Sequence, residues 1–164
     1  MRKSLSLALI LPALAILYAG CGSGAKLPTP PACQSTPEIW LTALADAPDQ
    51  VLIEGDAPIS TCLPSDQSAA QQEEIGRTAV EVGTRLSAFT KADGDEGDFE
   101  SSIEAALMAG YLVGALEKGA GETEGIHSTL VDRVKSAATN GLDGASPKIR
   151  TTYNTGYEAG LDKG

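Results

Sequence analysis

The 164-residue chain carries 22 Asp and Glu against 12 Lys and Arg, a formal net charge of −10. Such a balance repels phosphate backbones and anionic headgroups, and no basic run offsets it, so nucleic acid is excluded as a partner. Aromatic residues make up only 4% of the chain, so a core has to come from Ala, Leu, Ile and Val, with the 18 Gly letting backbones approach.

Met1-Arg2-Lys3 opens the chain, an apolar run follows from about Leu5 to Tyr18, and Ala19-Gly20 stand before Cys21. A basic start, an apolar run and small residues before a cysteine make a secretion signal. The run falls below the roughly 18 residues of a membrane span. This start resembles a bacterial lipoprotein signal with its lipobox, with Tyr18 where such families usually carry an aliphatic residue. The resemblance implies cleavage before Cys21, a diacylglyceryl group on its sulfur, and a mature chain held by lipid at the membrane of the cell envelope, on the extracytoplasmic side. Residues 1–20 are then the signal peptide. Losing Arg2 and Lys3 with them leaves 144 residues carrying 10 positive and 22 negative charges, a net of −12. That length suits one domain with a real core.

Gly, Ser and Pro between Gly22 and Pro31 predict an extended, lipidated tether over 21–32, reaching about 30 Å. With Cys21 taken by lipid, Cys33 and Cys62 are an even pair in an oxidising compartment, which predicts a disulfide stapling the segment 33–63. Metal ligation or redox catalysis would need a closer partner or a CxxC spacing, and neither occurs. Ser35-Thr36-Pro37-Glu38 reads as a helix start. The helix runs to about residue 46, turns Ile39, Trp40, Leu44 and Leu41 inward, and is stopped by Ala47-Pro48-Asp49. Val51-Leu52-Ile53 is too short to classify, and Gly55-Asp56-Ala57-Pro58 reads as a turn.

From residue 64 onward the pattern is helical, and the segment 64–164 forms one domain with 33–63. Ser65 or Asp66 can cap a first bundle helix with Ile75, Ala79, Val82, Leu86 and Phe89 on one stripe. The acidic stretch Asp93-Gly94-Asp95-Glu96-Gly97 breaks it. A second helix over 98–118, ended by Gly119, is uncharged from Ala105 to Leu116 and should be the most buried. A third over 122–140 turns Ile126, Leu130, Val131, Val134 and Ala138 inward, with Gly141 as a left-handed stop. Ser146-Pro147 starts a fourth, carrying Ile149, Tyr153, Gly156, Tyr157 and Gly160. The fold expected is all-α: a bundle of four main helices preceded by a short disulfide-stapled helix and loop.

The second and fourth bundle helices share a pattern. Ile103 is followed by Gly110-Tyr111 and Gly114, and Ile149 by Gly156-Tyr157 and Gly160, an offset of 46 residues. The first and third echo each other more loosely, Ile75, Thr78, Val80 and Glu81 being answered by Ile126, Thr129, Val131 and Asp132. A duplicated helical hairpin accounts for both. Glycines four apart leave a smooth groove into which a second backbone can settle. Core packing is the expected role of Gly110, Gly114, Gly156 and Gly160; a small symmetric cleft lined by Tyr111 and Tyr157 is the functional alternative.

Chemistry-bearing patterns are few. Asp93, Asp95 and Glu104 resemble the first, third and twelfth ligands of an EF-hand loop, but Gly97, Asp98 and Glu100 break the match, so a solvated acidic turn is expected and tight calcium binding is not. His127, the only histidine, is read as helical, about one turn from Glu124 and Val131, with no local nucleophile beside it. No phosphate-cradling Gly loop or CxxCH occurs, and no cofactor is expected. The expectation is an envelope-anchored, non-enzymatic binding or interaction module with an envelope protein as its partner; the alternative is a small-ligand or calcium-binding protein.

Overall fold

A computed structural model describes residues 28–90 and 99–164; Cys21, where lipidation is expected, and the loop acids Asp93 and Asp95 lie outside them. Pro31 opens a 3-10 turn, Pro31–Gln34, its ring pre-setting the first backbone angle. Thr29 and Ala32 are buried. The described end of the 21–32 tether is therefore docked on the domain, where an extended chain was expected. Helix α1, Pro37–Leu44, starts with Pro and has Glu38 in its first turn, and it buries Trp40, Ala43 and Leu44.

Two short strands follow, the first over residues too few to classify from sequence and the second over Ala57-Pro58, which were expected in a turn. β1, Leu52–Ile53, pairs antiparallel with β2, Ala57–Pro58, placing Leu52 opposite Pro58 and Ile53 opposite Ala57. Glu54 and Gly55 adopt positive φ of 53° and 74°. They carry the reversal one residue earlier than expected, which frees Ala57 and Pro58 to pair. A second 3-10 turn, Ile59–Cys62, closes the segment, and a Cys33–Cys62 disulfide with Cα atoms 5.4 Å apart staples it. Trp40, Leu44, Val51, Ile53 and Ile59 are fully buried, so this segment supplies much of the core's bulk.

Helix α2 spans Ala69–Thr90. Its start is capped by Ser68, where Ser65 or Asp66 was expected. The Ser68 hydroxyl accepts from the Gln71 backbone N–H at 3.3 Å, and the Gln71 side-chain Oε1 accepts from the Ser68 N–H at 3.1 Å, a reciprocal capping box. Gln67 holds the preceding turn by donating to the Cys62 carbonyl at 2.9 Å, which delays the helix. Ile75, Ala79, Val82 and Leu86 are buried as expected, but Phe89 is 58% exposed. A 3.6-residue helix drifts away from a stripe of alternating fours and threes, and Thr90 takes the inward position instead. There a small residue is required, because Gly141 lies against Thr90 and the Ser87 carbonyl.

Helix α3, Phe99–Gly121, has its uncharged stretch buried almost throughout. Gly119 does not end it: a Cβ there would lie 2.1 Å from the Ser60 carbonyl oxygen, so this glycine admits the 3-10 turn 59–62. The chain then reverses through Glu124 and Gly125, at φ of 54° and 78°. Helix α4 consequently begins at Ser128, six residues later than expected, and runs to Thr139. Ile126 sits in the reversal and is 59% exposed, whereas Val131, Val134 and Ala138 are buried. Gly141 is a packing glycine; the left-handed residue is Gly144, at φ 83°. Helix α5, Pro147–Lys163, begins as expected, with the Ser146 hydroxyl accepting from the Ile149 N–H.

Among the described residues the architecture is all-α apart from the two short strands. α3 is central, touching α2, α4, α5 and the 59–62 turn, while α5 packs chiefly on α3. Gly76 faces Leu130 and Gly83 faces Val134 and Ala138, so α2 and α4 run in the same direction. The loose echo between them does not extend to environment: Ile75 and Thr78 are buried, while Ile126 and Thr129 are exposed.

Candidate functional site

The Gly-Tyr faces of α3 and α5 meet directly. A Cβ on Gly110 would lie 2.0 Å from the Tyr153 carbonyl oxygen, and one on Gly156 would lie 2.0 Å from that of Leu107. One turn on, Gly114 meets the Tyr157 carbonyl at 2.1 Å and Gly160 meets that of Tyr111 at 2.3 Å. Contacts advance together along both helices, so α3 and α5 are parallel. Each contact is the image of another under the 46-residue offset between Ile103 and Ile149, which makes the pairing two-fold in register. Backbone fills both grooves, leaving no cleft along the glycine face.

The equivalent tyrosines do different work. Tyr111 is buried, and its hydroxyl accepts from the Val51 N–H at 3.1 Å, fastening the stapled segment to α3. Burial pushes this phenol above its ordinary pKa. Tyr157 is half-buried, and its hydroxyl donates to Glu117, which also accepts from Lys135 at 2.7 Å. The hydrogen bond to Glu117 is the main cause of Tyr157's raised pKa. Nearby, Tyr153 is buried, its hydroxyl has no hydrogen-bond partner among the described residues, and burial pushes its pKa well up. All three phenols keep their protons at neutral pH, so none is a ready base or nucleophile.

Burial alone would raise Glu117, but the hydrogen bonds from Lys135 and Tyr157 outweigh it and leave the carboxyl below its usual range. A group whose folded pKa is depressed stabilises the fold above its unfolded pKa, about 4.3 for Glu, and that contribution is lost as pH falls through the lower folded value. Glu117→Gln should therefore flatten the acid limb of a plot of melting temperature against pH below about 4.3. An acid limb identical to that of the parent protein would contradict this.

His127 lies just before α4, not within it as the periodicity suggests, and is 2% exposed. Its Nε2 sits 3.1 Å from the Pro64 carbonyl oxygen and its Nδ1 3.2 Å from Gln72 Nε2. Since a carbonyl only accepts, the proton belongs on Nε2, and Nδ1 accepts from the Gln72 amide. Both ring nitrogens are thus occupied in tying the turns before α2 and α4 together, and neither partner is a hydroxyl. Glu104 is exposed on α3; Asp93 and Asp95, its companions in the EF-hand resemblance, fall outside the described residues. Among the described residues no group of three or more His, Cys, Asp or Glu is placed to hold a metal ion.

Open surface lies elsewhere. Between α2 and α4 a cleft of 680 Å³ is lined by Gly76, Val80, Leu130 and His127, with Arg77 and Arg133 on its rim. A second, of 820 Å³, continues from Val80 and Arg133 to Leu142 and Arg150. Sequence reasoning missed both. Gly76 and Gly83, seven apart on one helix face, signal the close approach of α2 and α4, but the arginines come from three separate helices and leave no linear trace. No known family, curated protein or solved structure matches the chain.

Proposed function

We propose that the protein is a lipid-anchored, extracytoplasmic lipoprotein of the bacterial cell envelope whose folded domain is a non-enzymatic interaction module. The observation that carries the reading is the basic and apolar start ending in Ala19-Gly20-Cys21, standing ahead of a Cys33–Cys62 disulfide. Disulfides persist in compartments outside the cytoplasm. A non-enzymatic role is supported by His127, whose ring is spent on Gln72 and Pro64, and by tyrosines held protonated. An interaction role, in preference to a ligand between the paired helices, is supported by the filled glycine grooves.

The described chain begins at Pro28, which lines a cleft with Gly119, Glu122 and Thr123 at the C-terminal end of α3. An anchor at Cys21 would hold that end toward the membrane and present the far ends of α2 and α3 outward. Cys21→Ser should move the protein from the membrane to the soluble fraction or leave an unprocessed precursor. Intact-mass measurement of the membrane-extracted protein should show a chain starting at Cys21 with added lipid mass. An unmodified Cys21 in the mature chain would sink the proposal.

A further inference from the structure

Five of the eight described Lys and Arg side chains are engaged within the fold. Arg85 pairs with Glu38 and Glu81, Lys135 with Glu117, and Lys163 with Asp49. Lys118 donates to the Asp162 carbonyl, and Lys148 lies over the Phe99 ring. Three exposed arginines differ. Arg77 and Arg133 make no ion pair or hydrogen bond among the described residues, and Arg150 makes only one, to the Ala145 carbonyl. In a chain with 22 carboxylates against 12 cations, these three guanidiniums pair with no carboxylate among the described residues, and all three line the joined clefts along α2 and α4.

We infer that this joined cleft docks an acidic peptide segment of a partner protein, with Arg77, Arg133 and Arg150 gripping its carboxylates. The inference rests on the interaction-module reading and names the partner's chemistry. A guanidinium fork matches a carboxylate bidentately. Val80, Ile126, Leu130 and Leu142 line the cleft alongside polar side chains such as Thr129 and Asn140, so apolar side chains of the same segment have somewhere to go. The carboxylates already in the cleft are Glu73, Glu81 and Asp143. Glu81 is held by Arg85, and Glu73 and Asp143 belong to opposite parts of the cleft, leaving the stretch around Arg133 for the incoming carboxylate.

Charge also selects the class of partner. A membrane or nucleic acid presents a broad anionic surface that must face the whole acidic domain, whereas a single strand lying in the cleft can place its carboxylates at the arginines and away from most of the domain's acids. Such a segment binds through a few deep contacts, with Arg a favoured anchor.

The test uses the processed full-length protein in neutral detergent micelles and a fluorescent synthetic peptide of glutamates and leucines, followed by anisotropy. Saturable binding is expected, weakened by added salt. Arg133→Ala, which lines both parts of the cleft, should weaken it about tenfold, the loss of one charge-assisted contact. Combined Arg77→Ala, Arg133→Ala and Arg150→Ala should abolish it, while Lys118→Ala should leave it unchanged. Because the three arginines are exposed, the melting temperatures of these variants should match the parent's. The proposal is overturned if the peptide does not bind, if a glutamine version binds equally well, or if phosphatidylglycerol vesicles bind through the same arginines and the peptide does not. None of these results alters the fractionation outcome for Cys21, so the anchoring proposal stands or falls separately.

Discussion

Gly110→Leu or Gly156→Leu is expected to be the most damaging single change in the bundle. At either position even a methyl group would overlap a carbonyl oxygen of the facing helix at 2.0 Å, and backbone cannot rotate away as a side chain can. Overpacking of this kind costs about 1–3 kcal/mol and sometimes more. It is opposed by the roughly 1 kcal/mol that leucine gains over glycine as a helix former. The net effect should be a fall in melting temperature on the order of 10 °C at the upper end. Gly114→Leu and Gly160→Leu should behave similarly, since the two-fold register gives them matching contacts. Gly121→Ala supplies the contrast, because nothing lies within 4 Å of its added methyl, and it should be neutral or mildly stabilising. An unchanged or raised melting temperature for Gly114→Leu would mean that the helices are not in backbone contact in solution.

Breaking the Cys33–Cys62 bridge should cost at least as much. The bridge closes a loop with a sequence separation of 29, worth about 3–4 kcal/mol in the chain-entropy account. The loop contains Trp40, fully buried and the only tryptophan, so its emission reports directly on the stapled segment. Reduction, or Cys62→Ser, should shift the denaturant midpoint seen by Trp40 emission to lower concentration and redden the emission earlier in the titration. Helical circular dichroism, dominated by α2 to α5, should follow less steeply if the segment loosens before the bundle. Coincident and unshifted transitions before and after reduction would show that the bridge contributes nothing.

The parts of this fold that can be read from the chain are those where one residue type has one physical use. Glycines four apart, matched by a second set 46 residues later, could only be serving backbone contact or a groove. Ser146-Pro147 could hardly be anything but a helix start, and the pair Cys33 and Cys62 followed from parity. The misplaced elements depend on tertiary context. Ile126 looks like a core residue until Glu124, a non-glycine at positive φ, reverses the chain just before it. Phe89 continues the apolar stripe in sequence, but the drift of the helix turns it outward and leaves Thr90 to meet Gly141. Gly119 and Gly141 look like helix stops, yet each is there to admit another segment. The arginine-lined cleft was illegible, because Arg77, Arg133 and Arg150 become neighbours only when α2, α4 and α5 are assembled.

The parallel pairing of α3 and α5 also fixes an order of events. Parallel neighbours cannot be joined by a short turn, so α4 has to be laid down before α5 can return to run alongside α3. A chain emerging from its N-terminus therefore completes the stapled segment and α2 through α4 while the glycine strip of α3, from Gly110 to Gly114, is still bare. During that interval the strip is a flat, side-chain-free surface fitted to one helix sequence, and any other copy of residues 147–163 meets it equally well. Exchange of the last helix between two nascent molecules is thus the misassembly this topology is most exposed to, and crowded expression is the condition that would bring it out.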